Sequence, residues 1–198
     1  MSFPDEFDQL IRDTAMKRIA DDILQGITKV REKPGLSARR WLWELMQNAR
    51  DVPNDWNGVS IKVILNSNSI QICHNGQPFS LTNLNHLIMQ VSSKSEGNED
   101  DSVGKFGTGF LVTHLLSKAL NLKGILKLDN EDLYRFQIEI DRSAESSLEL
   151  QKKIEVLLEH NRNLKDNFEK LENYAAHENI YETVFEFPLD EESLVHAK

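Results

Sequence analysis

ELMQNARD, Glu44 to Asp51, is the stretch on which the reading of this chain turns. Glu44, Asn48 and Asp51 stand four and three residues apart, so a helix shows a carboxylate, an amide and a second carboxylate on one face. Alone, such a face also suits plain solvation. Two later stretches give it meaning. CHNGQPF, Cys73 to Phe79, puts a turn-forming Asn-Gly after a strand-like run. GKFGTGF, Gly104 to Phe110, has glycines at 104, 107 and 109, where backbone amides can approach phosphates closely. A base, a magnesium ligand and a phosphate loop together point to nucleotide hydrolysis.

Working outward, Asp5 to about Lys33 reads as a helix, because Phe7, Leu10, Ile11, Ala15, Ile19, Ile23, Leu24 and Ile27 recur at three- and four-residue steps. Pro34-Gly35 ends it, and Ser37 is the expected N-cap of a second helix over about Ala38 to Arg50. Val59 to Leu65 and Ser69 to His74 read as a hairpin, and Thr82 to Val91 as a short helix. Ser92 to Ser102 is polar and acidic and reads as a lid. Phe110 to Leu120 has helical spacing, Lys123 to Leu128 and Leu133 to Ile140 read as strands, residues 144–177 as charged helix, and Thr183 to Phe187 as a last strand. The expected fold is α+β: a two-layer sandwich in which helices cover one face of a mixed or antiparallel sheet, with a helical insertion before the last strand. One domain spans 1–198, with an N-terminal helix at 1–33, a core at 38–140, the insertion at 144–177 and the final strand at 183–187.

Composition narrows the classes. A chain of 198 residues with 39% hydrophobic content can build one proper core. Its net charge of -9, with no basic run, argues against direct nucleic-acid binding and against an anionic membrane surface. No run approaches the roughly 20 apolar residues of a membrane span. The single cysteine, Cys73, excludes an internal disulfide, and MSFPDEFDQL lacks a signal pattern, so a cytoplasmic protein is expected.

Hydrolysing a phosphoanhydride needs an oriented water, a metal to offset phosphate charge and fixed amide donors. Glu44 could orient or deprotonate the water. Asn48 could give Mg²⁺ one neutral oxygen, the ion retaining waters and phosphate oxygens as its other ligands. Asp51 could hold ribose, base or water. Gly104, Lys105, Phe106, Gly107, Thr108 and Gly109 precede a helix whose first turn offers unpaired N–H groups, and Lys105 and Lys94 could meet the phosphates. As an alternative, the glycines only make a tight turn.

In this order the motifs resemble the GHKL superfamily of ATP-binding domains, which includes gyrase, the ninety-kilodalton heat-shock chaperones, histidine kinases and the MutL mismatch-repair proteins. The resemblance covers about residues 38–187. It implies a Bergerat-type sandwich with ATP under a flexible lid, Glu44 as general base and Asn48 as magnesium ligand. It makes 104–109 the second glycine box, Ser93-Lys94 the lid segment before it, and Thr183 a hydroxyl near the adenine. One position departs. The family's first glycine box usually opens with an Asp that accepts from the adenine amino group, but here His74 opens His74-Asn75-Gly76-Gln77-Pro78-Phe79, and Pro78 replaces the second glycine. A neutral imidazole has one donor and one acceptor, so adenine recognition could survive with changed geometry, be weakened, or shift toward another base. Gly76 should still let the backbone approach the base. Such His-Asn-Gly variants resemble sacsin-like and bacterial defence-associated ATPases.

Leu150, Leu157, Leu164 and Leu171 recur every seven residues, with Ile154, Asn161, Phe168 and Ala175 between them. A dimeric coiled coil would use that seam. HNRNLKDN interrupts it with weak helix formers, which favours helices packing on the domain. Trp41, Trp43 and Trp56 are expected to be core or packing aromatics. The expected function is Mg²⁺-dependent ATP binding and slow hydrolysis by a switch or motor module, a fragment or subunit that works with a protein partner or a C-terminal transducer region, with a homodimer as one arrangement. The alternatives are a non-catalytic nucleotide-binding module and a histidine-kinase-type phosphotransfer domain.

Overall fold

The computed structural model describes residues 3–37, 39–56, 58–90, 109–172, 174, 177 and 179–198. Helix α1 (Phe3–Glu32) buries Ala20, Ile23 and Ile27 at three- and four-residue steps. Its first half does not pack: Phe7, Leu10 and Ile11 are all more than half exposed. The apolar stripe that marks this helix in the sequence therefore meets the core only in its second half. A single turn, α2 (Pro34–Ser37), follows, opened by a proline where the missing N–H costs nothing. Helix α3 (Arg40–Arg50) starts later than expected. Arg39 holds its N-cap with no side-chain bond, and Ser37 ends α2 instead.

Among the described residues seven strands form one sheet: β1 (Ile61–Leu65), β2 (Ser69–His74), β3 (Phe79–Ser80), β4 (Ala119–Lys127), β5 (Leu133–Asp141), β6 (Glu169–Leu171) and β7 (Thr183–Pro188). Their order is β1-β2-β7-β4-β5-β6, with β3 beside β4. Every pairing is antiparallel except β3 with β4. Alternation sets the inner face, with Ile70 and Ile72 on β2, Leu120 and Leu122 on β4, Phe136, Ile138 and Ile140 on β5, and Phe185 and Phe187 on β7. Each such side chain is worth about 1.5–3 kcal/mol when fully buried, so this face dominates the stability of the fold. Helices pack on it, giving the α+β two-layer sandwich that the sequence suggests.

Helix α4 (Leu81–Met89) is N-capped by Ser80, whose hydroxyl accepts from Asn83 N. Arg142, almost wholly buried, donates from Nη2 to the Ile88 carbonyl near the other end of that helix, where a cation suits the dipole. Helix α5 (Ser147–Arg162) turns Leu150 and Ile154 fully into the core. The heptad seam is therefore spent inside the domain, as packing helices require and a zipper does not. The helix is interrupted at Asn163, in the stretch of weak helix formers. One more turn, α6 (Leu164–Asn167), leads into β6, where continued helix was expected.

Phe110–Leu115 is a 3₁₀ helix, shorter than the helix expected to reach Leu120, because β4 already begins at Ala119. A last helix, α7 (Glu191–Ala197), opens on a reciprocal Asp190–Ser193 capping box. It accepts a hydrogen bond from buried Trp41 Nε1 at the His196 carbonyl, 3.0 Å away. Trp43 and Trp56, expected to pack, are exposed instead. Among the described residues no helix is long and apolar enough to cross a membrane.

Candidate functional site

Trp41, Leu45 and Ala49 form the buried stripe of α3. Glu44 and Asn48 each precede a member of that stripe by one residue, about 100° round the helix, so they emerge at the margin of the core. That placement explains their partial exposure and fixes where they point.

Glu44 lies against Gly109. A Cβ built on Gly109 would stand 2.8 Å from Glu44 Cδ and 3.3 Å from Oε1, and would overlap Oε2. Only a residue without a side chain allows this approach. Gly109 has φ -61° and ψ -42°, an ordinary helical conformation, so the need for glycine here is one of space alone. The first and third motifs, 65 positions apart in sequence, thus meet at the carboxylate (109 − 44 = 65). Arg40 Nη2 donates to Glu44 Oε1 at 3.3 Å from one turn earlier. That pair is exposed on the arginine side and is worth little.

One turn along α3, Asn48 lines a narrow cleft with Ala49, Val52, His74, Gln77, Pro78, Phe79, Asn83 and Phe185. Its apolar members are Ala49, Val52, Pro78, Phe79 and Phe185, and the amides of Asn48, Gln77 and Asn83 give it adaptable polarity. The slot is nearly closed, with about 20 Å³ of room, close to what one water needs. A bound ring requires it to widen.

The second motif forms one wall and is held to α3 through its backbone. Val52 O accepts from Gln77 N at 3.0 Å, and a Cβ on Gly76 would stand 2.5 Å from the same oxygen. Asn75 is tied on both sides. Its Oδ1 accepts from Ser60 N at 2.6 Å, and its carbonyl accepts from Asn54 Nδ2 at 3.2 Å. His74 closes β2 opposite Thr183, the first residue of β7. Both are buried, and the imidazole lies nearly parallel to Phe185, 6.3 Å between ring centres and 26° between planes. Gly76 N donates to His74 Nδ1 at 3.2 Å. Burial pushes the His74 pKa down to about 4, so the ring is neutral at physiological pH.

The remaining expected residues fare differently. Asp51 is the C-cap of α3, with Arg50 Nε 4.0 Å from its Oδ1, and is not in the cleft wall. Lys94, Gly104, Lys105, Phe106, Gly107 and Thr108 lie outside the described residues. Asn83, Gln77, Val52 and Phe185 join the cleft without having been singled out, although Phe185 shares the inward face of β7 with Thr183 and could have been found by alternation. Among the described residues no group of three or more His, Cys, Asp or Glu gathers as a metal cage. Of the residues expected to hold magnesium, the Asn48 amide lies in the cleft wall, beside the amides of Gln77 and Asn83. A neutral amide oxygen is a donor that Mg²⁺ accepts alongside waters and phosphate oxygens.

No protein-family model matches the chain, and no curated protein matches it.

Proposed function

We propose that this domain binds a purine nucleoside triphosphate, ATP on the GHKL resemblance, together with Mg²⁺, hydrolyses it slowly, and works as a conformational switch or motor module. The observation that carries this reading is the contact of the Glu44 carboxylate with Gly109, one helical turn from an amide that lines a narrow cleft. In this reading the base enters the slot between Val52, Pro78 and Phe185, and the phosphates run past Asn48 toward Gly109. Magnesium would offset phosphate charge, with the Asn48 oxygen as its protein ligand.

Glu44 takes a proton from water as the water oxygen bonds to the γ-phosphorus and the bond from that phosphorus to the bridging oxygen breaks. The diphosphate leaves, and the proton passes to the released phosphate, which returns Glu44 to its starting state. A carboxylate at this place suits hydrolysis better than transfer to a protein histidine. Phosphate release without labelling of the protein separates the two. Calorimetry with ATP and Mg²⁺ tests the binding half: the intact chain gives a magnesium-dependent isotherm, and Asn48→Ala loses the magnesium dependence. If ATP gives no heat and no competition with any nucleotide, a protein-interaction module without nucleotide replaces this reading.

A further inference from the structure

We propose that the open edge of β1 pairs with the same strand of a second copy, antiparallel about Val63, and so joins two sheets into one. The sheet ends at β1 on one side and at β6 on the other. Short length and charge guard β6: it has three residues, and its Glu169 and Lys170 are paired with Arg135 and Asp132. β1 is longer, IKVIL, and among the described residues it pairs with β2 alone.

Two bonds fix which backbone groups of β1 face outward. Asn66 N donates to Ser69 O at 2.8 Å, and Asn75 N donates to Ser60 O at 3.3 Å. Bonded positions alternate along an antiparallel ladder, so Ser60, Lys62, Ile64 and Asn66 bond toward β2. Ile61, Val63 and Leu65 therefore turn their N–H and C=O groups to the open side. Their side chains share the inner face of the sheet, since they stand opposite His74, Ile72 and Ile70. Ile70 and Ile72 are buried, yet Val63 and Leu65 are each 44% exposed. The apolar layer thus runs one strand past its cover.

Charge and symmetry favour a second copy as the occupant. A chain of net charge -9 repels its own kind, but no Asp or Glu stands between Asp55 and Glu96, the stretch that holds β1 and β2. Turned about a two-fold axis at Val63, the strand matches itself. Val63 faces Val63, Ile61 faces Leu65, and Lys62 faces Ile64, so no like charges stand directly opposite. Five residues a side are far fewer than the roughly 20–30 of a standard interface, so Kd should lie between about 1 µM and 1 mM.

The test is sedimentation velocity on the intact chain across that range of concentration, with amide hydrogen exchange at its two ends. A dimer should form, and the amides of Ile61, Val63 and Leu65 should gain protection as it does, while those of Lys62 and Ile64 stay protected throughout. Val63→Pro removes an outward N–H that β2 does not use, and should weaken the dimer at least about tenfold. Val63→Lys and Val63→Glu should each stay monomeric, and their equimolar mixture should pair again, because opposite charges then meet across the axis. If a variant fails to fold by circular dichroism, exchange at the three amides of the intact chain decides. A chain that stays monomeric at the highest concentration, or a dimer that leaves those three amides unprotected, overturns the proposal.

Discussion

Gly109→Ala separates the chemistry of this site from its stability. The backbone at 109 is already helical, so alanine meets no conformational penalty there and gains about 0.5–1 kcal/mol over glycine. The new methyl group collides with the Glu44 carboxylate, the end of a flexible side chain only one-fifth exposed. That carboxylate can swing aside at the cost of its bond to Arg40, an exposed pair worth about 1 kcal/mol or less. The two effects nearly cancel, so the melting temperature should move by no more than about 4 °C. Turnover should respond very differently. Moving a catalytic group by an ångström costs about 100-fold, and losing a general base costs about 10²–10⁴-fold. The assay pairs steady-state phosphate release with calorimetric nucleotide binding and a thermal melt. Release should fall about 100-fold with Kd nearly unchanged and the fold intact. A folded Gly109→Ala protein that hydrolyses at the wild-type rate would refute the assignment of Glu44.

Two further expectations concern stability. Burial holds His74 near pKa 4 and His114 near 3, whereas an unfolded histidine titrates near 6.5. Between those values the unfolded chain binds more protons, so stability present above pH 6.5 is lost as pH falls toward the folded pKa values, by about 2 kcal/mol per histidine at pH 5. Urea titrations at pH 7 and 5 should show this slope, and His114→Asn, which keeps a donor toward the Ser117 carbonyl, should reduce it; an unchanged slope would mean His114 is not the proton site. Leu150→Ala should cost about 2–5 kcal/mol in urea unfolding, against about 0.5 kcal/mol or less for Val156→Ala on the exposed side of α5. Equal losses would show that the seam is not part of the core.

The legible parts of the fold were those with local signals. The period-two run Ser69 to His74 is β2 with the same bounds, because alternation marks its face and the Asn-Gly turn marks its end. Strands β3 and β6, two and three residues long, carry no pattern of their own and exist because a distant strand offers an edge. Phe110 to Leu120 read as one helix because Leu115, Leu116 and Leu120 fit helical spacing, yet Leu120 and Leu122 also alternate, and pairing with β5 and β7 wins from Ala119 onward. At the site, spacing alone put Glu44 and Asn48 on one face. The close approach of Gly109 to Glu44 could not be read, since it depends on how two elements dock, and the bond from Gly76 to His74, local as it is, depends on a side-chain rotamer that no sequence pattern marks. Arg142 was also invisible: nothing local marks an arginine as buried until the end of α4 is placed beside it.

The most direct test of the central claim is single-turnover phosphate release by Glu44→Gln, an isosteric change that keeps the side chain against Gly109 and removes its basicity. Nucleotide affinity should stay within a few-fold of wild type, with release slowed by at least about 100-fold. Release at the wild-type rate, with the same affinity, would contradict it.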